Sequence, residues 1–187
     1  MGIRTFFALD LDPPTLDGLA AVRAQLDVPG AKIKWVAREN LHVTLKFLGD
    51  IPEPQVAEVC ALAAQAAARV EPFEFGIECV SVVPPRGKAR MVWAGVADPT
   101  GRMAALHAEL ETALAGIGKQ EARGFNPHIT LARMKFIEDS DELRRRAAAC
   151  TEQRFGTVAA DELVAYSSRL TPQGPVYTPI ARARLGG

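Results

Sequence analysis

Two hydrophobic patterns alternate along the chain and predict a mixture of strands and helices. Apolar residues that alternate or run together over four to ten positions predict strands, and apolar residues three or four apart predict helices. The predicted strands are 3–11, 33–36, 41–48, 73–83, 90–96, 125–134, 163–170 and 176–183, and the predicted helices begin near 12, 53, 98 and 140. Asp12 and Asp98, each followed by proline, and Ser140 are the predicted helix-start residues, Gly49 is predicted to end the third strand, and 171–174 is predicted to be a turn. Strands outnumber helices and are interspersed with them. The predicted class is α+β with largely antiparallel sheets.

One four-residue phrase occurs twice in this pattern. Residues 42–45 read His-Val-Thr-Leu, and residues 128–131 read His-Ile-Thr-Leu, at an offset of 86 residues (from 42 to 128). The same offset carries Asn40 onto Asn126 and the dipeptide Asp-Pro at 12–13 onto Asp-Pro at 98–99. We interpret this as a strand–helix–strand unit present twice, at about 5–45 and 91–131. Two such units can face each other about a pseudo-twofold axis, with one histidine from each in a shared cleft.

Length and charge limit the classes of function. The 187 residues fit one large domain or two small, closely packed lobes. With 22 basic and 22 acidic residues, the formal net charge is zero. This argues against a protein that binds long duplex nucleic acid, because such proteins carry a basic surplus. A small phosphate ligand or the end of an RNA strand needs only a local basic patch, so both remain open.

The cysteines and the apolar segments predict a cytoplasmic protein. Cys60, Cys79 and Cys150 are odd in number and form no C-x-x-C motif, so we expect free thiols in a reducing compartment. Asp10 and Asp12 interrupt the first apolar run, which excludes an ordinary signal peptide. No apolar stretch approaches the length of a membrane span. No membrane association and no obligate protein partner are therefore expected.

The repeated phrase places polar groups on one face of each strand. Side chains two positions apart in a strand point the same way, so His42 shares a face with Thr44, and His128 with Thr130. The intervening apolar residues point to the opposite face and can enter the core. Each strand thus offers one imidazole and one hydroxyl to a cleft while packing anchors its other side.

Two imidazoles and two hydroxyls suit displacement at phosphorus. One imidazole can act as a base and the other as an acid on opposite sides of the phosphorus, while the hydroxyls donate to its non-bridging oxygens. A zinc site needs three or four ligands, and no Cys or carboxylate stands at ligand spacing from either histidine. We therefore expect neither a metal nor another cofactor. The third histidine, His107, lacks the repeated context and is interpreted as a residue at the surface or flank of the third helix.

The flanking residues extend the pattern into a family resemblance. Residues 34–36 (Lys-Trp-Val), 39–49 (Glu-Asn-Leu-His-Val-Thr-Leu-Lys-Phe-Leu-Gly) and 124–133 (Gly-Phe-Asn-Pro-His-Ile-Thr-Leu-Ala-Arg) resemble the two-histidine (2H) phosphoesterase superfamily, and within it the bacterial RNA 2′,3′-cyclic phosphodiesterases. That family was first described as 2′–5′ RNA ligases. The resemblance covers the whole chain. It implies a single domain, 1–187, of two interleaved lobes with pseudo-twofold symmetry, two largely antiparallel sheets flanked by helices, and an active-site cleft between the lobes.

The resemblance also implies a reaction and its participants. The substrates would be RNA ends or nucleoside 2′,3′-cyclic phosphates, hydrolysed without a metal to a 2′-phosphomonoester. His42 would be the proton donor, His128 the proton acceptor, and Thr44 and Thr130 would hold the phosphate oxygens. The two motifs are nearly identical, so the residues by themselves leave the donor and acceptor roles open. Two alternatives also remain: a module that binds RNA ends or nucleotides without turnover, and 2′–5′ ligation by the same site in reverse.

Two further residues conflict with simple strand alternation. Phe47 and Arg133 each stand five positions after a motif histidine, so strict alternation points both away from the cleft. The resemblance implies that Arg133 contacts phosphate and Phe47 a base, and a β-bulge or twist would reconcile the two. Ordinary core packing is the alternative for Phe47. Trp35 and the basic tip at 86–90 are weaker candidates for RNA contact, since most basic loop tips are only solvated.

Overall fold

Two antiparallel sheets form the frame of the protein, as a computed structural model describing residues 2–120, 124–172 and 174–187 shows. The predicted α+β class with antiparallel pairing is confirmed. The strands are β1 (Gly2–Leu9), β2 (Lys32–Trp35), β3 (Val43–Pro52), β4 (Phe73–Val83), β5 (Met91–Ala97), β6 (His128–Phe136), β7 (Arg154–Ala160), β8 (Glu162–Leu170) and β9 (Pro175–Arg184). The first sheet, sheet A, has the order β3-β1-β8-β9, and the second, sheet B, has the order β2-β6-β5-β4-β7.

Helices cover the outer faces of the sheets and bury apolar stripes there. They are α1 (Pro13–Gln25), α2 (Val56–Ala67), α3 (Arg102–Ala113) and α4 (Ser140–Ala148). Helix α1 packs on β7 of sheet B, and α3 packs on β3 of sheet A. Leu19 of α1 and Leu106 of α3 are fully buried, and burial of each such side chain stabilises the fold by about 1.5–3 kcal/mol. Within the described residues, no helix is long and apolar enough to cross a membrane.

Aspartate side chains bind amides at the start of α1, α3 and α4, whereas α2 begins at Val56, after a 3-10 turn at Glu53–Gln55. Asp12 caps α1 as predicted. Asp98 accepts a hydrogen bond from the backbone N–H of Met103 at 2.9 Å, so α3 begins at Arg102, four residues later than the Asp-Pro signal predicted. The prediction of Ser140 as the cap of α4 is wrong by one residue. Asp139 accepts from the backbone amides of Asp141 and Glu142, while the Ser140 hydroxyl accepts from a backbone amide in the loop before β5.

Two strand predictions also differ from the structure. Gly49 was expected to end β3, but the strand continues to Pro52. The pairing with β1 skips Leu48, which forms a bulge, and Gly49 has φ +76°. The glycine therefore supplies the left-handed backbone conformation next to a bulge inside the strand, and the strand does not end there. Strand β7 was not predicted, because only Val158 and Ala160 along it are buried and they give too short a pattern. The predicted turn at 171–174 includes residue 173, which lies outside the described residues.

Candidate active site

A cleft of about 800 Å³ lies between the two sheets. Sheet A contributes residues of β1, β3, β8 and β9, and sheet B contributes residues of β2 and β6. The side chains singled out in the sequence all line this cleft: His42, Thr44, Phe47, His128, Thr130 and Arg133. The fold therefore brings together in one pocket residues that the chain separates by up to 91 positions (from 42 to 133).

The ring of His42 is held by a backbone carbonyl just before β3 and by two aromatic rings. Its Nδ1–H donates to the carbonyl of Asn40 at 2.8 Å, which leaves Nε2 to face the cleft, 3.0 Å from the Thr44 hydroxyl. The ring stacks on Phe6, with centroids 4.9 Å apart, and meets the edge of Tyr177 at 5.4 Å. Burial lowers the pKa of the imidazole below its usual 6.5, a shift that the Asn40 carbonyl and the charge of Asp10 oppose.

His128 repeats the anchoring with a different neighbour. Its Nδ1–H donates to the carbonyl of Asn126 at 2.8 Å, so its Nε2 is also the free nitrogen. Its ring stacks on Trp93 of the adjacent strand β5, with centroids 3.8 Å apart. Asn40 and Asn126, which the repeat aligns, thus occupy equivalent positions and act through their backbone carbonyls. In both motifs the carbonyl two residues before the histidine fixes the tautomer of the ring.

Matching bulges explain how Phe47 and Arg133 reach the cleft. The pairing of β3 with β1 skips Leu45, and the pairing of β6 with β5 skips Leu131. Each extra residue reverses the alternation of side chains in the rest of its strand. The residue two positions after each bulge, Phe47 or Arg133, therefore points to the face opposite to the one that strict alternation predicts. Phe47 and Arg133 therefore line the same cleft as the motif histidines, which resolves the conflict with strict alternation.

The cleft is electropositive although the whole chain is neutral. The described residues that line it include three cationic side chains, Arg4, Lys34 and Arg133, and one carboxylate, Glu39. The Arg4 guanidinium lies 4.6 Å from the centroid of the Phe47 ring. Such a local surplus suits a small anion.

The sequence did not single out Arg4 or Tyr177 as site residues. Tyr177 is half-buried, and burial raises the pKa of its hydroxyl, while the nearby charges of Arg133 and Arg4 oppose that shift. Arg4 is on β1 and Tyr177 is on β9, far from either motif along the chain. Only sheet pairing brings them to the cleft, and no local sequence signal predicts it.

His107 connects the two motif segments, which corrects its interpretation as an ordinary surface residue. Its Nδ1–H donates to the carbonyl of Leu45, the bulged residue of β3, at 2.9 Å. Its ring stacks on Phe125, with centroids 4.1 Å apart and planes 9° apart. Phe125 stands three residues before His128. One side chain of α3 therefore contacts the strand that follows His42 and the segment that leads into His128.

An ion pair with a buried lysine lies next to the bulge at Leu45 and joins β3 to α3. The side chain of Lys46 is only 2% exposed, and its ammonium lies 2.6 Å from the Glu111 carboxylate on α3. The equivalent position in β6 is Ala132, which is fully buried and carries no charge. The two bulges thus have the same backbone effect with different support.

The two weaker candidates for RNA contact, Trp35 and the basic tip at 86–90, differ in position. Trp35 lines the cleft. The basic tip at 86–90 does not contribute to the lining, and Arg144 of α4 donates to the carbonyl of Gly87 within it. In the described part of the chain, no group of three or more His, Cys, Asp or Glu side chains is arranged to hold a metal ion.

Comparison with known proteins places the chain in a family. The family model for LigT-like phosphoesterases matches residues 9–93 and 95–177, so each match contains one His-x-Thr motif. The chain belongs to this family. Membership confirms the expected kinship with 2H phosphoesterases and identifies the protein as a phosphoesterase.

Individual relatives cover the full chain of this LigT-like protein. It is 32% identical over 185 residues to an RNA 2′,3′-cyclic phosphodiesterase of Methanothermobacter thermautotrophicus, covering 99% of this chain and 100% of that one. The crystal structure of a Thermus thermophilus protein matches with a TM-score of 0.80 and 28% identity, covering 98% of both chains. Escherichia coli LigT in complex with 3′-AMP matches with a TM-score of 0.79 and 27% identity, covering 100% of both chains.

Proposed function

We propose that this protein hydrolyses 2′,3′-cyclic phosphates, at RNA ends or on nucleosides, to 2′-phosphomonoesters without a metal ion. The observation that carries the proposal is the pair of imidazoles whose Nδ1 atoms are tied to Asn40 and Asn126. Their Nε2 atoms face one electropositive cleft. The names of the curated relatives support the same substrate class.

The proposed reaction uses one proton transfer at each imidazole. His128 accepts a proton from a water molecule through Nε2 as the water oxygen forms a bond to phosphorus. The bond between phosphorus and O3′ breaks, and His42 gives its Nε2 proton to O3′. The hydroxyls of Thr44 and Thr130 donate to the non-bridging oxygens, where negative charge increases in the transition state. One proton enters the enzyme and one leaves it, so a second turnover needs only exchange with solvent.

The environment of His42 suits the role of proton donor. Burial lowers the pKa of its imidazolium, which makes the bound proton easier to transfer to a leaving oxygen. The negative charge of a bound cyclic phosphate acts in the opposite direction and favours the protonated ring while substrate is present. The charge of Asp10 acts in the same sense as the substrate.

Arg133 and Phe47 are assigned to substrate binding. The guanidinium of Arg133 matches the geometry of phosphate oxygens. Phe47 presents a ring to the cleft next to the Arg4 guanidinium, and a nucleobase can stack on such a surface. The complex of Escherichia coli LigT with 3′-AMP supports a nucleotide ligand for this chain.

The test is product analysis with adenosine 2′,3′-cyclic phosphate in a chelating buffer. We expect complete conversion to adenosine 2′-phosphate, with no 3′-phosphate, because the proposed donor protonates only O3′. Loss of turnover in the chelator would contradict the metal-free mechanism, and a 3′-phosphate product would contradict the assigned geometry. Binding without any product would favour the alternative of a nucleotide-binding module.

Ligation would use the same chemistry with the 5′-hydroxyl of a second RNA in place of water. His128 would take the proton of that hydroxyl as its oxygen bonds to phosphorus, the bond between phosphorus and O3′ would break, and His42 would protonate O3′, which leaves a 2′–5′ bond. Incubation of two such RNA fragments, followed by electrophoresis, measures this activity beside hydrolysis. A cytoplasmic location, for which the three free cysteines argue, belongs to the proposal as well.

A further inference from the structure

Two cationic side chains, Lys34 and Arg133, lie side by side on adjacent strands that line the cleft. Lys34 of β2 is paired directly with Arg133 of β6, so both side chains lie on one face, and both line the cleft. Neither forms a salt bridge with any carboxylate of the described residues. Like charges directly opposite each other on antiparallel strands destabilise the pair. An anion between them would remove that repulsion.

The Lys34 end of this pair lies away from His42. A Cβ at Gly174 would be 3.9 Å from the Lys34 ammonium nitrogen, so this ammonium lies beside the start of β9. Tyr177, whose ring meets His42, is three residues further along β9, which is roughly 10 Å of extended strand. Arg133 lies nearer the histidines, because its charge acts on the hydroxyl of Tyr177. A phosphate flanked by the two histidines therefore leaves the Lys34 ammonium free for a second one.

We propose that Lys34 and Arg133 form a subsite for the phosphodiester that precedes the terminal nucleotide of an RNA chain. The inference rests on the proposed function, since the terminal cyclic phosphate occupies the space between the histidines. Arg133, which also reaches the terminal phosphate, offers a planar set of donors to the oxygens of both phosphates, and Lys34 adds a mobile point charge at the upstream one. The subsite makes the end of an RNA chain a better substrate than an isolated nucleoside cyclic phosphate.

Exposed apolar side chains next to Lys34 support an extended ligand. Leu170 is 70% exposed and Val176 is 43% exposed, and both line the cleft where the β8–β9 hairpin borders it. Their exposed side chains give the charged groove an apolar border on which the rest of a ligand can pack. The nucleoside upstream of the bound phosphodiester would cover them.

The experiment compares adenosine 2′,3′-cyclic phosphate with the dinucleotide ApA ending in the same cyclic phosphate. We expect wild type to have a higher kcat/KM on the dinucleotide. K34Q is expected to reduce this preference about tenfold, mainly through KM, because the lost contact is the same in ground and transition states. K34R should retain the preference. K119Q is the matched control, since it removes one exposed positive charge outside the cleft lining.

A third substrate, adenosine 2′,3′-cyclic phosphate with a 5′-phosphate, separates the anion from the upstream nucleoside. It should recover most of the preference in wild type and lose it in K34Q. An equal preference in wild type and K34Q, or a gain that needs the upstream nucleoside alone, would overturn the subsite. If wild type turns over none of these substrates, the proposed function fails. The affinities of wild type and K34Q for the dinucleotide 2′-phosphate then decide the subsite separately, with a tenfold difference expected and equal affinities overturning it.

Discussion

The two motif histidines have the same anchor and different surroundings. Each donates from Nδ1 to the carbonyl two residues before it, at 2.8 Å. His42 is packed between Phe6 and Tyr177, and burial lowers its pKa, whereas His128 stacks on Trp93. A repeated motif therefore fixes the tautomer in both halves, and the neighbouring strands differentiate the two sites. The donor and acceptor roles proposed for the two histidines come from the family resemblance.

The support beneath the two motifs differs as well. Both strands bulge one residue after the motif threonine, at Leu45 and at Leu131. In the first half, His107 binds the bulge carbonyl and Lys46 pairs with a carboxylate of α3. In the second half, Ala132 takes the position of Lys46 without any charge. The same backbone geometry is thus reached through a polar arrangement in one half and apolar packing in the other.

Loss of either imidazole is expected to have the largest effect. H42A and H128A should each lower kcat by about 10³-fold, because each removes one of two general acid–base groups. The double variant should be little worse than either single one if the two act in one step. Steady-state kinetics with adenosine 2′,3′-cyclic phosphate, and circular dichroism to check folding, measure this. A folded variant that keeps a tenth of wild-type activity would remove that histidine from the mechanism.

Loss of Glu111 is expected to destabilise the fold by about 3 kcal/mol, because E111A leaves a buried ammonium without its partner. K46M should cost much less, since an apolar side chain of similar length fills the same space and matches the uncharged second half. Urea unfolding of both variants measures the free energies. Equal stability of E111A and wild type would show that the ion pair does not support the bulge.

Loss of His107 is expected to lower kcat about tenfold with little change in KM, because this side chain positions both motif segments and does not line the cleft. H107Q keeps a donor for the Leu45 carbonyl and should recover part of the activity. H107F keeps only the stacking on Phe125 and should recover less. Wild-type kinetics for H107A would mean that His107 has no positioning role.

The smallest expected effect is a change in pH dependence. Because burial lowers the pKa of His42, the kcat/KM of wild type should fall with rising pH through a midpoint below 6.5 if His42 must be protonated. D10N removes a charge that raises this pKa, so the midpoint of the alkaline limb should move to lower pH. If His42 is instead the base, the acidic limb moves to lower pH. The pH profiles of kcat/KM for both proteins distinguish the two assignments.

The sequence predicted the parts of the site that are local. The His-x-Thr phrases identify an imidazole and a hydroxyl on each strand, because side chains two apart share a face. Only the resemblance suggested Phe47 and Arg133, since a bulge leaves no clear mark in the amino-acid pattern. Arg4 and Tyr177 depend on which strands become neighbours. That pairing follows from the whole fold, which local patterns do not specify.

The same distinction applies to the fold. Strand β4 was predicted with its observed bounds, Phe73–Val83, because its apolar positions alternate up to Ile77 and again from Val80, on either side of a bulge. Strand β7 was missed because it buries little. Gly49 was misread because a left-handed glycine serves a bulge as well as a strand end.

The most direct test of the central claim is a crystal structure with a nucleoside vanadate, in which vanadium takes the place of the reacting phosphorus. The account predicts a five-coordinate vanadium with Nε2 of His42 and Nε2 of His128 each within about 3 Å of an apical oxygen, on opposite sides. A vanadate that contacts only one of the two imidazoles, or both from the same side, would contradict the mechanism.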